Sequence, residues 1–213
     1  MEAVAPKIPI TLQERDEAPD IIRVSATWEE YLELAEVVPY NIDYYEGEII
    51  SIGQASLLHE GLVSRLIALL SIYYDNLDDY TVLASNVKIF VPDCQSEFNA
   101  DLSVLKGSPD YLKLPSGRLS TVSYKNPEVI VEVLSKSTKN FDKAGKLDCY
   151  KTISSLQYVL FVDQSKMAVS VVARTTEPNQ WLTTDYNSPD DTVRLGDLAL
   201  TLRSIYRKTP LAG

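Results

Sequence analysis

Apolar residues recur at helical spacing in two parts of the chain. Thr27 precedes the first stripe, and Glu30 three positions later completes a capping-box pattern, so we predict a helix that ends before Pro39. Ser56 precedes the second stripe, which predicts a buried helix running to about Leu77. The apolar positions of this longer helix are Leu58, Leu62, Leu66, Leu69, Leu70 and Tyr73.

Runs of β-branched and aromatic residues predict the strands of a sheet. Ile42–Ile52 is rich in β-formers on both sides of Glu46-Gly47, which predicts a hairpin with a tight turn at that pair. Val129–Leu134 has the composition of a central strand. A helix predicted over 142–153 and a strand over 156–162 follow it, and this unit should cross over right-handed. Further strands are predicted over residues 80–91, 100–105, 167–173, 181–186 and 193–202.

This order of elements predicts one α+β or α/β domain, in which helices flank a mixed central sheet. We place the domain at residues 25–205. Three prolines in residues 1–24 predict an extended N-terminal arm, and residues 206–213 are predicted to form a C-terminal tail. Prolines and a glycine in residues 107–126 predict a long surface loop.

The composition then narrows the class of protein. The 213 residues carry a net charge of −10, which argues against a duplex-binding domain that neutralises phosphates and against polybasic membrane attachment. An apolar fraction of 45% argues against general disorder. Two cysteines, Cys94 and Cys149, predict neither a disulfide framework nor a zinc site. No segment resembles a signal peptide or a membrane span, so we expect a cytoplasmic protein without membrane contact.

An acidic residue inside the central strand is the strongest candidate for chemistry. Strand alternation places Ile130, Glu132 and Leu134 on one face, and an unpaired buried carboxylate is costly. Glu132 is therefore expected to have a partner, a metal or access to a cleft; the alternative is an edge strand with Glu132 facing water. Asp101 alone would more often be structural. Paired with Glu132 on an adjacent strand, it would form a site for a hard divalent cation.

A basic run follows this strand. Residues 136–151 carry a net charge of +3, which leaves −13 for the rest of the chain. Asp142, Lys146 and Tyr150 are spaced four apart and share one helical face. The alternative reading is a solvated face with an Asp142–Lys146 ion pair, but that reading explains less well why the run directly follows Glu132.

The single histidine, His59, falls in the first turn of the longer predicted helix. A lone histidine is commonly a surface or capping residue, but it is also able to act as a general acid or base. One histidine excludes a multi-histidine zinc centre. The chain also has no P-loop, dinucleotide-binding fingerprint or nucleophile elbow.

Several segments, taken together, carry a family pattern. They are Asp43–Glu48, His59, Asp101, Asn126–Thr138, Asp142–Tyr150 and Gln157–Asp163. With these segments the chain resembles the Uma family of restriction-endonuclease-like proteins, within the PD-(D/E)xK nuclease superfamily. The resemblance runs from about Trp28 to about Ala173, and Pro127–Tyr150 is its specific part.

The resemblance implies a restriction-endonuclease-like mixed sheet and a metal-dependent nuclease site. It implies catalytic roles for Asp101, Glu132 and Lys146. The implied ligands of Mg²⁺ or Mn²⁺ are the carboxylates of Asp101 and Glu132 and the backbone carbonyl of Val133. The candidate supporting residues are Asp43, Glu48, His59, Asp142 and Tyr150.

Three positions depart from the family pattern. Leu134 stands where the superfamily usually has its lysine. The resemblance implies that Lys146 on the following helix takes that role. Asp43 replaces an acid that is usually Glu. Asn99-Ala100 precedes Asp101 where a proline is normal, a change that should affect loop geometry more than chemistry.

We therefore predict a metal-dependent endonuclease that hydrolyses phosphodiester bonds, with DNA as the expected substrate. By analogy with nucleases that cut duplexes, a homodimer is a candidate assembly. Two alternatives stay open. One is a non-catalytic binding or dimerisation module of the same fold, and the other is a metal-dependent phosphohydrolase acting on nucleotides, whose small substrates suit an acidic exterior.

Overall fold

The structure, a computed structural model, describes residues 7–136 and 138–212. The helices in this part of the chain are α1 Leu12–Asp16, α2 Trp28–Ala35, α3 Leu57–Tyr74, α4 Leu147–Tyr150 and α5 Leu202–Ile205. The strands are β1 Ile21–Ser25, β2 Ile42–Tyr45, β3 Glu48–Ile52, β4 Tyr80–Ala84, β5 Lys88–Val91, β6 Ser96–Phe98, β7 Leu102–Lys106, β8 Tyr111–Lys113, β9 Leu119–Tyr124, β10 Pro127–Leu134, β11 Tyr158–Asp163, β12 Val169–Arg174, β13 Trp181–Tyr186, β14 Thr192–Leu195 and β15 Leu198–Thr201. A π-helical segment, Phe141–Lys146, runs directly into α4.

The strands form two mixed sheets and a separate β14–β15 hairpin. One sheet has the order β1-β3-β2-β6-β5-β9-β8, and the other has the order β13-β12-β11-β10-β7-β4. In the second sheet β10 lies between β11, which is parallel to it, and β7, which is antiparallel. The mixed-sheet α+β class is confirmed, and β10 is the central strand that its apolar composition predicted.

The two faces of β10 belong to two different hydrophobic cores. Val129, Val131 and Val133 pack in the core that contains α3, whereas Ile130 and Leu134 pack in the core that contains Tyr150. Glu132 therefore points towards the second core, on the face that strand alternation predicted. By length and hydropathy α3 resembles a membrane span, yet its apolar side packs into the first core.

The caps of α2 and α3 and the turn between β2 and β3 form at the residues that the sequence predicted. Thr27 and Glu30 form a reciprocal capping box at the start of α2. Glu46 and Gly47 both have positive φ, +51° and +77°, which gives the tight turn between β2 and β3. The Ser56 hydroxyl accepts the His59 backbone N–H and caps α3.

Four expectations were wrong. Residues 12–16 and 21–25 of the predicted arm form α1 and β1. They are ordered because β1 pairs with β3 and because the buried Arg15 donates to backbone carbonyls of β3. Residues 1–6 of the predicted arm lie outside the described residues. The predicted loop at 107–126 contains β8 and β9, since β9 pairs in parallel with β5. Cys94 and Cys149, 55 residues apart, form a disulfide. Tyr206, placed in the predicted tail, is fully buried.

A substitution at Tyr206 tests whether the hydrophobic core extends into residues 206–213. Its hydroxyl lies 2.7–2.8 Å from the carbonyl oxygens of Ala168 and Asp163. Tyr206→Ala is expected to lower the free energy of unfolding by about 3–5 kcal/mol, as for other buried aromatic residues. The exposed neighbour Arg207 is the control: Arg207→Ala should change it by less than about 0.5 kcal/mol in urea denaturation. Equal stability of the two variants would show that residues 206–213 behave as a tail.

Candidate active site

A cleft of about 830 Å³ opens where β10 ends. The β2–β3 hairpin contributes Asp43, and the first turn of α3 contributes His59. Asp101, which directly precedes β7, also lines the cleft. β10 contributes Glu132, and the π-helical segment contributes Lys146. The parallel β10–β11 pairing places the crossover helix beside Glu132, so residues distant in sequence meet in one cleft.

The ammonium group of Lys146 is surrounded by carboxylates. Its Nζ lies 3.2 Å from Asp43 Oδ2, 3.3 Å from Asp142 Oδ1 and 3.4 Å from Glu132 Oε1. Lys146 is only 2% exposed. Burial alone lowers the pKa of a lysine, but the three carboxylates outweigh burial and raise the pKa of Lys146 well above its usual value. Lys146 is therefore a fixed positive charge.

Glu132 is held by the same helical unit. Its Oε1 accepts a hydrogen bond from the Tyr150 hydroxyl at 2.8 Å and contacts Lys146. Burial raises the pKa of Glu132 well above its ordinary value, Lys146 opposes that shift, and the charges of Asp142 and Asp101 add to it. Asp101 and Glu132 are therefore close enough to interact electrostatically.

Asn99 is a site residue that the sequence analysis did not identify as functional. Its backbone N–H and side-chain amide both donate to Asp43 Oδ1 at 2.8 Å, and its amide also donates to the Ile42 carbonyl. These contacts orient Asp43 so that its other oxygen faces Lys146. The signal in the sequence for this contact was a polar residue two positions before a candidate acid.

Asp101 lies directly before β7. Its Oδ2 accepts the Val133 backbone N–H at 2.6 Å and lies 3.3 Å from His59 Nε2. Burial lowers the pKa of His59, but the hydrogen bond and charge of Asp101 outweigh burial and raise it. The N–H and C=O of one residue in an extended strand point to the same side, so the Val133 carbonyl lies on the same edge of β10 as its N–H.

The structure brings most predicted site residues together and places one elsewhere. Asp43, His59, Asp101, Glu132, Asp142 and Lys146 all line the cleft. Tyr150, a candidate supporting residue, donates its hydroxyl hydrogen bond to Glu132. Glu48 forms an ion pair with Arg23 at 3.0 Å and is not among the residues lining the cleft.

The chemistry of the donor set fits a hard divalent cation. Carboxylates outnumber the cations in this part of the cleft: Asp43, Asp101, Glu132 and Asp142 face one ammonium and one imidazole. Oxygen donors of this kind suit Mg²⁺ or Mn²⁺. Among the described residues no group of three or more His, Cys, Asp or Glu side chains is arranged around one metal position. Asp101, Glu132 and the Val133 carbonyl would hold such an ion, and water or substrate would complete its coordination.

The fold is that of a nuclease-like α+β protein. The Uma2 family, described as "Putative restriction endonuclease", matches residues 28–204, and the chain belongs to it. The uncharacterized proteins sll1609 and slr1290 of Synechocystis sp. are 31% and 29% identical to it. These matches cover 73% and 76% of this chain, and 84% and 80% of the two relatives.

A solved structure shares the fold. The crystal structure of a "putative nuclease belonging to DUF820" from Anabaena variabilis superposes with a TM-score of 0.66 at 18% identity. The match covers 84% of this chain and 97% of that protein.

Removing the Lys146 charge generates a pH-dependent prediction. Lys146→Met leaves buried carboxylates without their cation, which is expected to cost about 3–5 kcal/mol of unfolding free energy at neutral pH. In the variant, the already raised pKa values of Glu132 and Asp142 rise further, so the folded chain binds protons more tightly than the unfolded chain. Stability should therefore recover as the pH falls from neutral towards the unfolded pKa values near 4.

The matched control is Lys143→Met, at an exposed position of the same helical segment. Urea denaturation at several pH values should show a small, pH-independent effect for this control. If the loss of unfolding free energy in Lys146→Met stayed constant between neutral and acidic pH, that result would contradict the contact of Lys146 with three ionised carboxylates.

Proposed function

We propose that this protein is a metal-dependent endonuclease that hydrolyses phosphodiester bonds, with DNA as substrate and Mg²⁺ or Mn²⁺ as cofactor. The observation that carries the proposal is the buried carboxylate of Glu132, bonded by Lys146 and Tyr150 and facing the same cleft as Asp101. Membership of the Uma2 family, described as "Putative restriction endonuclease", supports it, as does the fold shared with a protein titled a "putative nuclease".

The acidic residues would hold the metal, and the metal would polarise the phosphoryl oxygen and lower the pKa of a bound water. Asp101, directly before β7, and Glu132, on the neighbouring strand β10, would hold it. The remaining oxygens of both carboxylates are suited to this, because the hydrogen bonds among the described residues fall on Asp101 Oδ2 and Glu132 Oε1.

Lys146 would supply electrostatic stabilisation. The three carboxylates raise its pKa and favour the protonated ammonium, so we assign it a fixed charge rather than the role of general base. A fixed positive charge beside Glu132 favours the negative charge that develops in phosphodiester hydrolysis. Asp43 and Asp142 position this ammonium, and Asn99 positions Asp43.

His59 would position Asp101. Its imidazole lies 3.3 Å from Asp101 Oδ2, the same oxygen that accepts the Val133 N–H. These two contacts on one oxygen would hold the carboxylate in one orientation.

Substituting the two candidate ligands tests the proposal. Glu132→Gln and Asp101→Asn are each expected to reduce metal-dependent cleavage of plasmid DNA by about 100-fold or more, since a ligand contributes at least as much as an outer-shell partner. Glu128→Gln is the matched control. Glu128 lies on the same strand but contacts Tyr80 and Lys106 instead of the cleft residues, so cleavage should not change.

Thermal unfolding with Mg²⁺ or Mn²⁺ gives a second readout, because a bound ion stabilises the folded state. The wild-type and Glu128→Gln proteins should show a metal-dependent rise in Tm that Glu132→Gln lacks. Wild-type cleavage rates in both ligand variants would refute the assignment. A wild-type Tm that does not respond to millimolar metal would favour a non-catalytic module.

A further inference from the structure

Gln164 lines the cleft but has no part in the chemistry proposed so far. It directly follows β11, and its backbone N–H donates to the Leu134 carbonyl, at the end of β10, at 3.3 Å. Its side-chain Oε1 accepts a hydrogen bond from the Ser56 hydroxyl at 3.1 Å. Gln164 therefore connects the end of the central strand to the residue that caps α3.

The contacts of Ser56 continue to the candidate metal ligands. The oxygen of its hydroxyl accepts the His59 backbone N–H at 3.1 Å, while its proton is donated to Gln164. The imidazole of the same histidine lies 3.3 Å from Asp101 Oδ2, and this oxygen accepts the Val133 N–H at 2.6 Å. The contacts thus return to β10, where they began, and form a closed ring.

One end of this ring starts from a well-held part of the sheet. The residue before Gln164 is Asp163, whose backbone N–H donates to the Ala168 carbonyl across the β11–β12 turn at 3.0 Å. The Asp163 carboxylate binds Lys139 at 2.8 Å, and its carbonyl accepts the Tyr206 hydroxyl at 2.8 Å. Gln164 is therefore anchored independently of α3.

The other end of the ring depends more on its hydrogen bonds. Residues 57–61 all lie in the described part of the chain, and none of them is buried, although Leu58 packs partly against the core. Burial in α3 begins at Leu62. The first N–H groups of a helix have no partner within it, so this turn opens more readily than the middle of the helix. The Ser56–Gln164 contact therefore ties the backbone of His59 to the sheet.

We infer that Gln164 is a positioning residue for the candidate metal site. It acts through Ser56 and His59, and it fixes where the Asp101 carboxylate lies relative to Glu132. Gln164 does not itself touch the metal. Without its amide oxygen the ring opens at Ser56, and Asp101 loses part of what orients it. The inference rests on the proposed function for the identity of the metal site and deepens it by naming a residue that controls metal affinity.

Amide hydrogen exchange in the metal-free protein tests the ring without metal or substrate. Gln164→Met keeps an unbranched side chain of similar length and removes the acceptor of the Ser56 hydroxyl. The Val133 and His59 amides should then exchange about 10-fold faster, as expected for the loss of one hydrogen bond. The Val131 amide, in the middle of β10, should keep its rate, which separates opening of the ring from a general loss of stability.

Manganese binding is the second readout, and it requires no cleavage. Isothermal titration with Mn²⁺ alone should give a Kd about 10-fold weaker for Gln164→Met, at the lower end of the range for groups that orient a ligand from behind. Plasmid cleavage by this variant should recover towards the wild-type rate at saturating Mn²⁺, because the defect lies in holding the ion. A purely structural role would lower stability without changing the Mn²⁺ Kd.

Gln157→Met is the matched control. Gln157 directly precedes β11 as Gln164 directly follows it, and it is also half-buried. Its side-chain amide donates to the Ser155 carbonyl at 3.3 Å, and it is not among the residues lining the cleft. Exchange at Val133 and the Mn²⁺ Kd should both match the wild type.

Variants of Ser56 assign the effect to the hydrogen bond. Ser56→Thr keeps the hydroxyl, so Val133 exchange and the Mn²⁺ Kd should stay near the wild-type values. Ser56→Gly removes the hydroxyl with little loss of capping and should reproduce Gln164→Met. Combining these two changes should add nothing further, since both open the ring at the same contact. Thr27→Gly, which removes the cap of α2, should change neither readout.

A wild-type exchange rate at Val133 in Gln164→Met would overturn the inference, as would a Mn²⁺ Kd equal to that of the wild type. Faster exchange at Val133 in a protein that neither binds Mn²⁺ nor cleaves DNA would support the positioning of Asp101 by Gln164 and remove the endonuclease assignment. The two proposals thus fail separately.

Discussion

The contact of one lysine with three carboxylates is the interaction on which the cleft depends. Glu132 lies in the middle of a buried strand, where a lone carboxylate would be neutral or destabilising. Lys146 and Tyr150 make the site possible by placing an ammonium and a hydroxyl on its Oε1. Because the same ammonium also contacts Asp43 and Asp142, it joins β2, β10 and the crossover helix at one point. A change at any of these residues alters the charge balance of the others.

The topology explains why these particular elements meet. A parallel pair such as β10 and β11 requires a crossover, and the π-helical segment with α4 lies in that connection. The crossover carries Asp142, Lys146 and Tyr150 on one face, and the disulfide between Cys149 and Cys94 ties it to the turn before β6. β6 in turn leads to Asn99, which orients Asp43, and to Asp101. The two sides of the cleft are thus covalently connected close to their functional residues.

The sequence predicted those features that depend on interactions between residues close together in the chain. It missed those that depend on contacts between residues far apart in sequence. The face of Glu132 was predictable because strand alternation has a period of two, and the β2–β3 turn was predictable from Glu46-Gly47. β9 was missed because its alternation is weak and its pairing with β5 is non-local. The structured arm was missed for a similar reason: Arg15 holds it through carbonyls more than 35 residues away. The position of Asn99 beside Asp43 likewise depends on a contact across 56 residues.

A second buried cluster in the same protein shows what distinguishes a site from a structural ion pair. Glu97 is 2% exposed, accepts a hydrogen bond from the Tyr31 hydroxyl and lies 3.5 Å from Lys88 Nζ. The residue types are those around Glu132: a glutamate, a tyrosine and a lysine. Lys88 contacts a single carboxylate in the part of the chain that the structure describes, whereas Lys146 is shared by three and Asp101 adds a fourth nearby. The Glu97 cluster is electrically balanced and needs no further cation. Around Glu132 the carboxylates outnumber the ammonium and line an open cleft, and under the proposed function that excess, rather than the burial of a glutamate, would favour a divalent metal.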